Sequence, residues 1–209
     1  MKLLLVGSTG LVGRHVLDLA LADDRIGAVV APVRHNVANH PKLFAPTVDF
    51  ERLPNDGDWW RVDAVICTLG TTMRAAGSQE AFRRVDHDYM LAVAKLARQH
   101  GTRTFALNSA IGADPSSRFF YNRVKGELER DLATLDFRSL TFVRPGLIGG
   151  MRDETRPAER IASLVLGVLH PILPRRLRIN PVERIAQALI DAAIAARPGT
   201  HVVGSAELA

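Results

Sequence analysis

The apolar run Leu3-Leu4-Leu5-Val6 leads directly into Gly7-Ser8-Thr9-Gly10-Leu11-Val12-Gly13, and no other stretch narrows the folding options of this chain as far. Glycine at every third position puts a tight turn between an extended segment and a helix. The first glycine suits the turn, the second lets a pyrophosphate approach the backbone, and the third allows helix to pack closely on strand. Unpaired N–H groups and the helix dipole at such a junction attract phosphates. The pattern predicts a strand from Lys2 to Val6, a helix from Leu11 to Ala22 and a phosphate-bearing ligand where they meet.

The same rhythm continues. Further strands are predicted at Ala28 to Val33, Thr47 to Phe50, Val62 to Cys67, Thr102 to Leu107 and Ser139 to Val143, each rich enough in β-branched or large apolar residues to be covered on both faces. Helical periodicity marks Gln79 to His100 and Arg118 to Leu135, long enough for crossover connections. Strands alternating with helices make an α/β fold with a doubly wound parallel sheet. At 209 residues, one domain over residues 1–209 is expected, with 145–209 contributing the substrate side. After Arg144-Pro145-Gly146 the pattern shifts to Arg- and Pro-rich loops, helical stretches at Ala158 to Leu169 and Val182 to Ala196, and a short run His201 to Val203. This part reads as a small helical and loop appendage on the same core. Asn180 is the predicted N-cap of the last helix, with Pro181 at its first position and Glu183 three residues after the cap.

Net charge of +5 raises the question of nucleic acid, but the basic residues are scattered and the densest group, Arg175, Arg176 and Arg178, reads as a solvated loop, so no nucleic-acid partner is expected. The single cysteine, Cys67, excludes an intrachain disulfide and points to a reducing compartment. The apolar start is too short for a secretory signal, and Ile161 to Leu173 is interrupted by Gly167, His170 and Pro171 and is too short to span a bilayer. A cytoplasmic chain with no membrane span is expected.

Two constellations carry chemistry. The end of the second strand reads Pro32-Val33-Arg34-His35, offering a guanidinium where sites for the non-phosphorylated cofactor place a carboxylate. Its planar fork suits a 2′-phosphate, so NADP(H) is expected over NAD(H). Tyr121 and Lys125 stand one helical turn apart, and Ser109 lies just past a strand end. Reduction of a carbonyl needs a proton donor; a tyrosine beside a cation serves, and a serine hydroxyl can orient the same oxygen. A pairing of Lys125 with Glu129 is the structural alternative. Phe119 and Phe120 read as core or pocket wall, and His87, His100 and His170 as solvated or helix-capping histidines.

The turn GSTGLVG, the pair YNRVK with upstream Ser109, and RPG after the sixth strand together resemble the short-chain dehydrogenase/reductase superfamily, and VDFERL, CTLGTT, FRRVDHDYMLAVAKLA, SSRFFYNRVKGELE and VRPGLIGGMRDETRP extend the likeness to its atypical branch of Tat-interacting oxidoreductase-like proteins over nearly the whole chain. The resemblance implies a Rossmann domain holding NADPH. Gly7, Ser8, Thr9, Gly10, Leu11 and Val12 would meet the pyrophosphate, Arg34 and His35 the 2′-phosphate, Asp49 and Phe50 the adenine, Leu69 and Gly70 the ribose, and Ile148 the nicotinamide, with Arg156 reaching the cofactor from the C-terminal part. Ser109, Tyr121 and Lys125 match the superfamily's catalytic trio, and Tyr121 and Lys125 also count among the cofactor contacts. The chain departs from the pattern in having Arg34-His35 in place of paired arginines, and the helix asparagine of ordinary members has no counterpart around Asp86 to Asp88.

The expected function is an NADPH-dependent oxidoreductase that transfers a hydride to a small carbonyl-type molecule, with Tyr121 as proton donor. The alternative is an NADPH-binding regulatory protein with little or no turnover. A sugar-nucleotide epimerase is disfavoured by the roughly 65 residues left after Val143. The arginines at 152, 175, 176 and 178 suit an anionic substrate and a solvated surface equally, and the long helices offer a face for a homodimer.

Overall fold

A computed structural model describes residues 1–34, 39–149 and 179–209. The strands are β1 (Lys2–Val6), β2 (Ala28–Val30), β3 (Leu43–Phe44), β4 (Ala64–Cys67), β5 (Thr104–Asn108), β6 (Ser139–Arg144), β7 (Ile148–Gly149), β8 (Asn180–Pro181) and β9 (Gly199–Gly204). The helices are α1 (Leu11–Ala22), α2 (Met73–Ala76), α3 (Gln79–Arg83), α4 (Met90–Gln99), α5 (Phe120–Ala133), α6 (Val182–Ala195) and α7 (Ser205–Leu208). One π-helical turn, Arg84–Tyr89, joins α3 to α4, so the predicted Gln79 helix runs on with a single widened turn.

Seven strands form one parallel sheet in the order β3-β2-β1-β4-β5-β6-β9. The order reverses between β1 and β4, which opens a crevice at their C-terminal ends. Strand alternation sends Leu4, Val6, Val65, Cys67, Phe105 and Leu107 toward α4 and α5, and Leu3, Leu5, Ala64, Ile66 and Ala106 toward α1 and α6. Because both faces are covered, the strands are apolar at successive positions, as the sequence suggested. This is the doubly wound Rossmann arrangement.

Several boundaries differ. The strand predicted at Thr47 to Phe50 does not form; β3 lies earlier, at Leu43–Phe44, and Thr47 makes one isolated bridge to Val33. Pro32 and Pro46 each remove a ladder donor there, and Asp49 bends the chain by accepting from the Glu51 N–H at 2.9 Å. The C-terminal part is more than an appendage: α6 covers one face of the sheet, and the run His201 to Val203 lies in β9, a full sheet member beside β6. Asn180 is not the cap of α6. Pro181 takes that place, and the wholly buried Asn180 side chain instead accepts from the Gly146 N–H at 2.7 Å and the Ser205 hydroxyl at 2.9 Å, while donating to the Ser205 carbonyl at 2.9 Å. The helix predicted at Ala158 to Leu169 lies outside the described residues.

Candidate active site

The glycine turn is built as tightly as its spacing demands. Gly7 has φ +86°, and a Cβ there would sit 2.5 Å from the Leu69 nitrogen; a Cβ on Gly13 would sit 2.0 Å from the Gly7 carbonyl oxygen. At Gly10 the nearest such contact is an ordinary 3.5 Å among the described residues. Gly10 caps α1 with no side-chain hydrogen bond, leaving the first N–H groups of the helix available. The Ser8 hydroxyl is buried with no hydrogen-bond partner among the described residues, and Thr9 is exposed. Leu11 is half-buried and Val12 buried.

The loop after β4 faces this turn. Thr68 Oγ1 donates to the Val6 carbonyl at 3.0 Å and lies 3.2 Å from that of Gly7, which binds the two strand ends together. Leu69 is half-buried and Gly70 exposed. The Thr71 N–H donates to Asp86 Oδ2 at 2.7 Å, and Asp86 Oδ1 lies 2.8 Å from Lys125 Nζ; both charged side chains are at most 5% exposed. Burial works against the Lys125 charge, but Asp86, followed by Tyr121, outweighs it and holds the Lys125 pKa above its ordinary value. Tyr121 is half-exposed at the start of α5, with its ring 5.7 Å from that of Phe82. Burial pushes the nearby Cys67 thiol up to about 11.

Ser109 reaches α5 in an unexpected way. Its hydroxyl donates to Glu129 Oε1 at 2.5 Å, and the Glu129 carboxylate also takes Arg144 through Nε at 3.0 Å and through a second guanidinium nitrogen. Glu129 is therefore bound to Arg144 and Ser109, and the alternative pairing of Lys125 with Glu129 does not occur. The Tyr121, Lys125 and Glu129 stripe at intervals of four was visible in the sequence; the partners Asp86 and Arg144, distant in sequence, were not. His87 is also corrected: it is buried, with Nδ1 2.8 Å from Asp88 and Nε2 3.0 Å from Asp131. His100 does cap α4, and His170 lies outside the described residues.

The outer end of the crevice is less closed. Arg34 is exposed with no ion pair among the described residues, and His35 lies outside them. Asp49 is exposed, while Phe50 is buried and stacks on Tyr89 at 5.9 Å. Tyr89 donates to Glu51 at 2.5 Å; burial and that carboxylate push its phenol up to about 12. Ile148 is half-buried against the α1 side of the core, and Arg156 lies outside the described residues. No described helix is long and apolar enough to cross a membrane.

A scan against protein-family profiles finds no match. Individual relatives decide the question. The chain is 37% identical over 177 residues to protein fmp52, mitochondrial, of Emericella nidulans, covering 79% of this chain and 74% of the relative. It is 33% identical over 192 residues to protein HTATIP2 of Rattus norvegicus, covering 90% and 78%. This chain belongs to the FMP52/HTATIP2 family. The resemblance to the Tat-interacting oxidoreductase-like branch thus stands. Among solved structures, MoeE5 in complex with UDP-glucose and NAD superposes with a TM-score of 0.74 at 17% identity, covering 98% of this chain and 76% of that one. A short chain dehydrogenase family protein from Francisella tularensis gives 0.67 at 14% identity, covering 99% and 98%. These likenesses place the FMP52/HTATIP2 chain in the Rossmann fold. One expectation falls: the cytoplasmic assignment, drawn from the lack of an export signal, is overturned by fungal relatives whose names carry "mitochondrial".

Proposed function

We propose that the chain is an NADPH-dependent oxidoreductase acting on a small carbonyl-type molecule. The observation that carries this reading is that the loop over residues 68–71 joins the glycine turn to the buried Asp86–Lys125 pair at the C-terminal ends of β1 and β4. On one side of that loop lie the uncapped start of α1 and the Ser8 hydroxyl, unpartnered among the described residues; on the other, Lys125 is buried as a cation with Tyr121 one turn away. A dinucleotide fits what is present: backbone N–H groups for the pyrophosphate, an exposed Arg34 for the 2′-phosphate, and a cation beneath the ribose. Bound there, NADPH supplies the hydride.

The chain's own residues do the rest. Gly7 through Val12 hold the pyrophosphate, with Leu69 and Gly70 over the ribose, Asp49 and Phe50 beside the adenine and Ile148 beside the nicotinamide. Tyr121 gives its proton to the carbonyl oxygen, and the Lys125 charge stabilises the tyrosinate left behind. The reading is tested by calorimetric titration with NADPH and NADH, on the native chain and on Arg34→Ala. Submillimolar NADPH binding that falls toward the NADH value in the variant is expected, followed by loss of at least about a hundredfold in carbonyl turnover for Tyr121→Phe. Absence of binding by either nucleotide below millimolar overturns it.

A second reading, nucleotide-dependent regulation with little turnover, draws support from Ser109. Its only hydroxyl proton is committed to Glu129, so the trio lacks a second donor aimed at a substrate oxygen. Measurable NADPH binding with no turnover across a broad carbonyl panel favours that reading.

A further inference from the structure

A buried ion pair costs desolvation that a well-packed apolar pair avoids, so Asp86 and Lys125 stand out on energetic grounds. Their surroundings suggest why they persist. Asp86 sits in the π-helical turn and is only 1% exposed. One of its oxygens holds Lys125 Nζ at 2.8 Å and the other holds the Thr71 N–H at 2.7 Å. Gly70 passes so near that a Cβ there would lie 3.4 Å from Asp86 Oδ1. Thr68, in the same loop, is fastened to the glycine turn. A continuous set of contacts therefore runs from Gly7 through residues 68–71 to Asp86 and Lys125.

Lys125 has three N–H donors, and Asp86 is its one hydrogen-bond partner among the described residues. The groups that face its ammonium are Asp86 from the π-helical turn, Cys67 from β4 and Tyr121 from α5. With the thiol pushed up to about 11, Asp86 is the carboxylate that balances this buried charge.

Building on the reading of the crevice as a nucleotide site, we propose that Asp86 is a positioning residue that keeps Lys125 charged and locks it to the loop over residues 68–71. The ribose then meets a cation already in place, with N–H donors to spare. The role is that of a counter-ion and a latch. Without Asp86, burial is the largest influence left on the Lys125 charge and pushes it toward the neutral amine.

The test is calorimetric titration with NADPH between about pH 7 and pH 9.5, on the native chain, Asp86→Asn, Lys125→Met and the double variant. The native chain should bind with nearly constant affinity. Asp86→Asn should bind about tenfold more weakly at pH 7, the equivalent of one charge-assisted hydrogen bond, and weaken further as pH rises. Lys125→Met should be weak at every pH, and adding Asp86→Asn to it should change affinity less than about twofold. The double variant carries no unpaired buried charge and keeps the cycle informative if Asp86→Asn folds poorly. Native-like binding with a flat pH profile in Asp86→Asn overturns the proposal, as does an equal loss on adding Asp86→Asn to Lys125→Met. In either case the nucleotide site itself survives, whereas a native chain that fails to bind NADPH overturns both readings.

Discussion

Gly10 and Gly13 occupy the same turn, yet the space around them separates ligand binding from stability. A methyl group at Gly13 collides with the Gly7 carbonyl at 2.0 Å, a backbone atom that cannot move aside. Gly13→Ala should cost about 3 kcal/mol and lower the melting temperature by roughly 10 °C. At Gly10 the same methyl meets nothing closer than 3.5 Å among the described residues, so Gly10→Ala should cost no more than about 1 kcal/mol while, on the proposed reading, its methyl stands in the way of the phosphate. Thermal melts and NADPH titrations of the two variants check this, and equal melting temperatures would contradict it. Asp131 makes a different prediction. Although burial opposes it, hydrogen bonds from Arg130 and His87 hold its carboxyl below the ordinary carboxylate range. A depressed carboxyl stabilises the fold above its unfolded pKa and loses that contribution as pH falls through the lower folded value. Acid unfolding should therefore be shallower between about pH 5 and pH 2 in Asp131→Asn than in the native chain, as read by circular dichroism.

At the scale of elements, Asn180 joins three parts of the chain that are far apart in sequence. Its amide ties the loop after β6, the entry to α6 and the start of α7 through three hydrogen bonds. Asn180→Ala leaves the Gly146 N–H and the Ser205 groups without these bonds and should cost about 2–4 kcal/mol, measured as a lower urea midpoint. This residue also shows where sequence reading stops. The pattern Asn180-Pro181 before an amphipathic run has the local chemistry of a helix cap, and α6 does begin at Val182. The side chain was drawn inward by partners at Gly146 and Ser205 that local spacing cannot reveal. The glycine turn, the Tyr121–Lys125 stripe and five of the six predicted strands were legible because each rests on local periodicity. Asp86 and Arg144 were not, because their partners come from other elements. Thr47 to Phe50 misled because β-branched and aromatic content says nothing about Pro32 and Pro46, which hold the pairing there to the single Val33–Thr47 bridge.

On the scale of the whole molecule, the strand order assigns each side of the crevice to a different stretch of chain. The turn after β1 forms from the first residues, whereas Tyr121, Lys125 and the loop after β6 belong to the later half. On the proposed reading, residues 1–34 can thus lay out the phosphate end of the site, but the Lys125 cation arrives only when α5 docks. Removing residues 199–209 should leave the β6 edge bare and produce a chain that associates in solution, detectable by light scattering.

The position of β9 also sets the timing of assembly. The sheet grows outward from its earliest strand, and the element that seals its β6 side is translated after every other strand. During synthesis, β6 leaves the ribosome with a free edge and waits for some fifty further residues to emerge before β9 can cover it, an interval of several seconds at ordinary elongation rates. Over that interval the β6 edge of the nascent chain stays open to pairing with a strand of another chain.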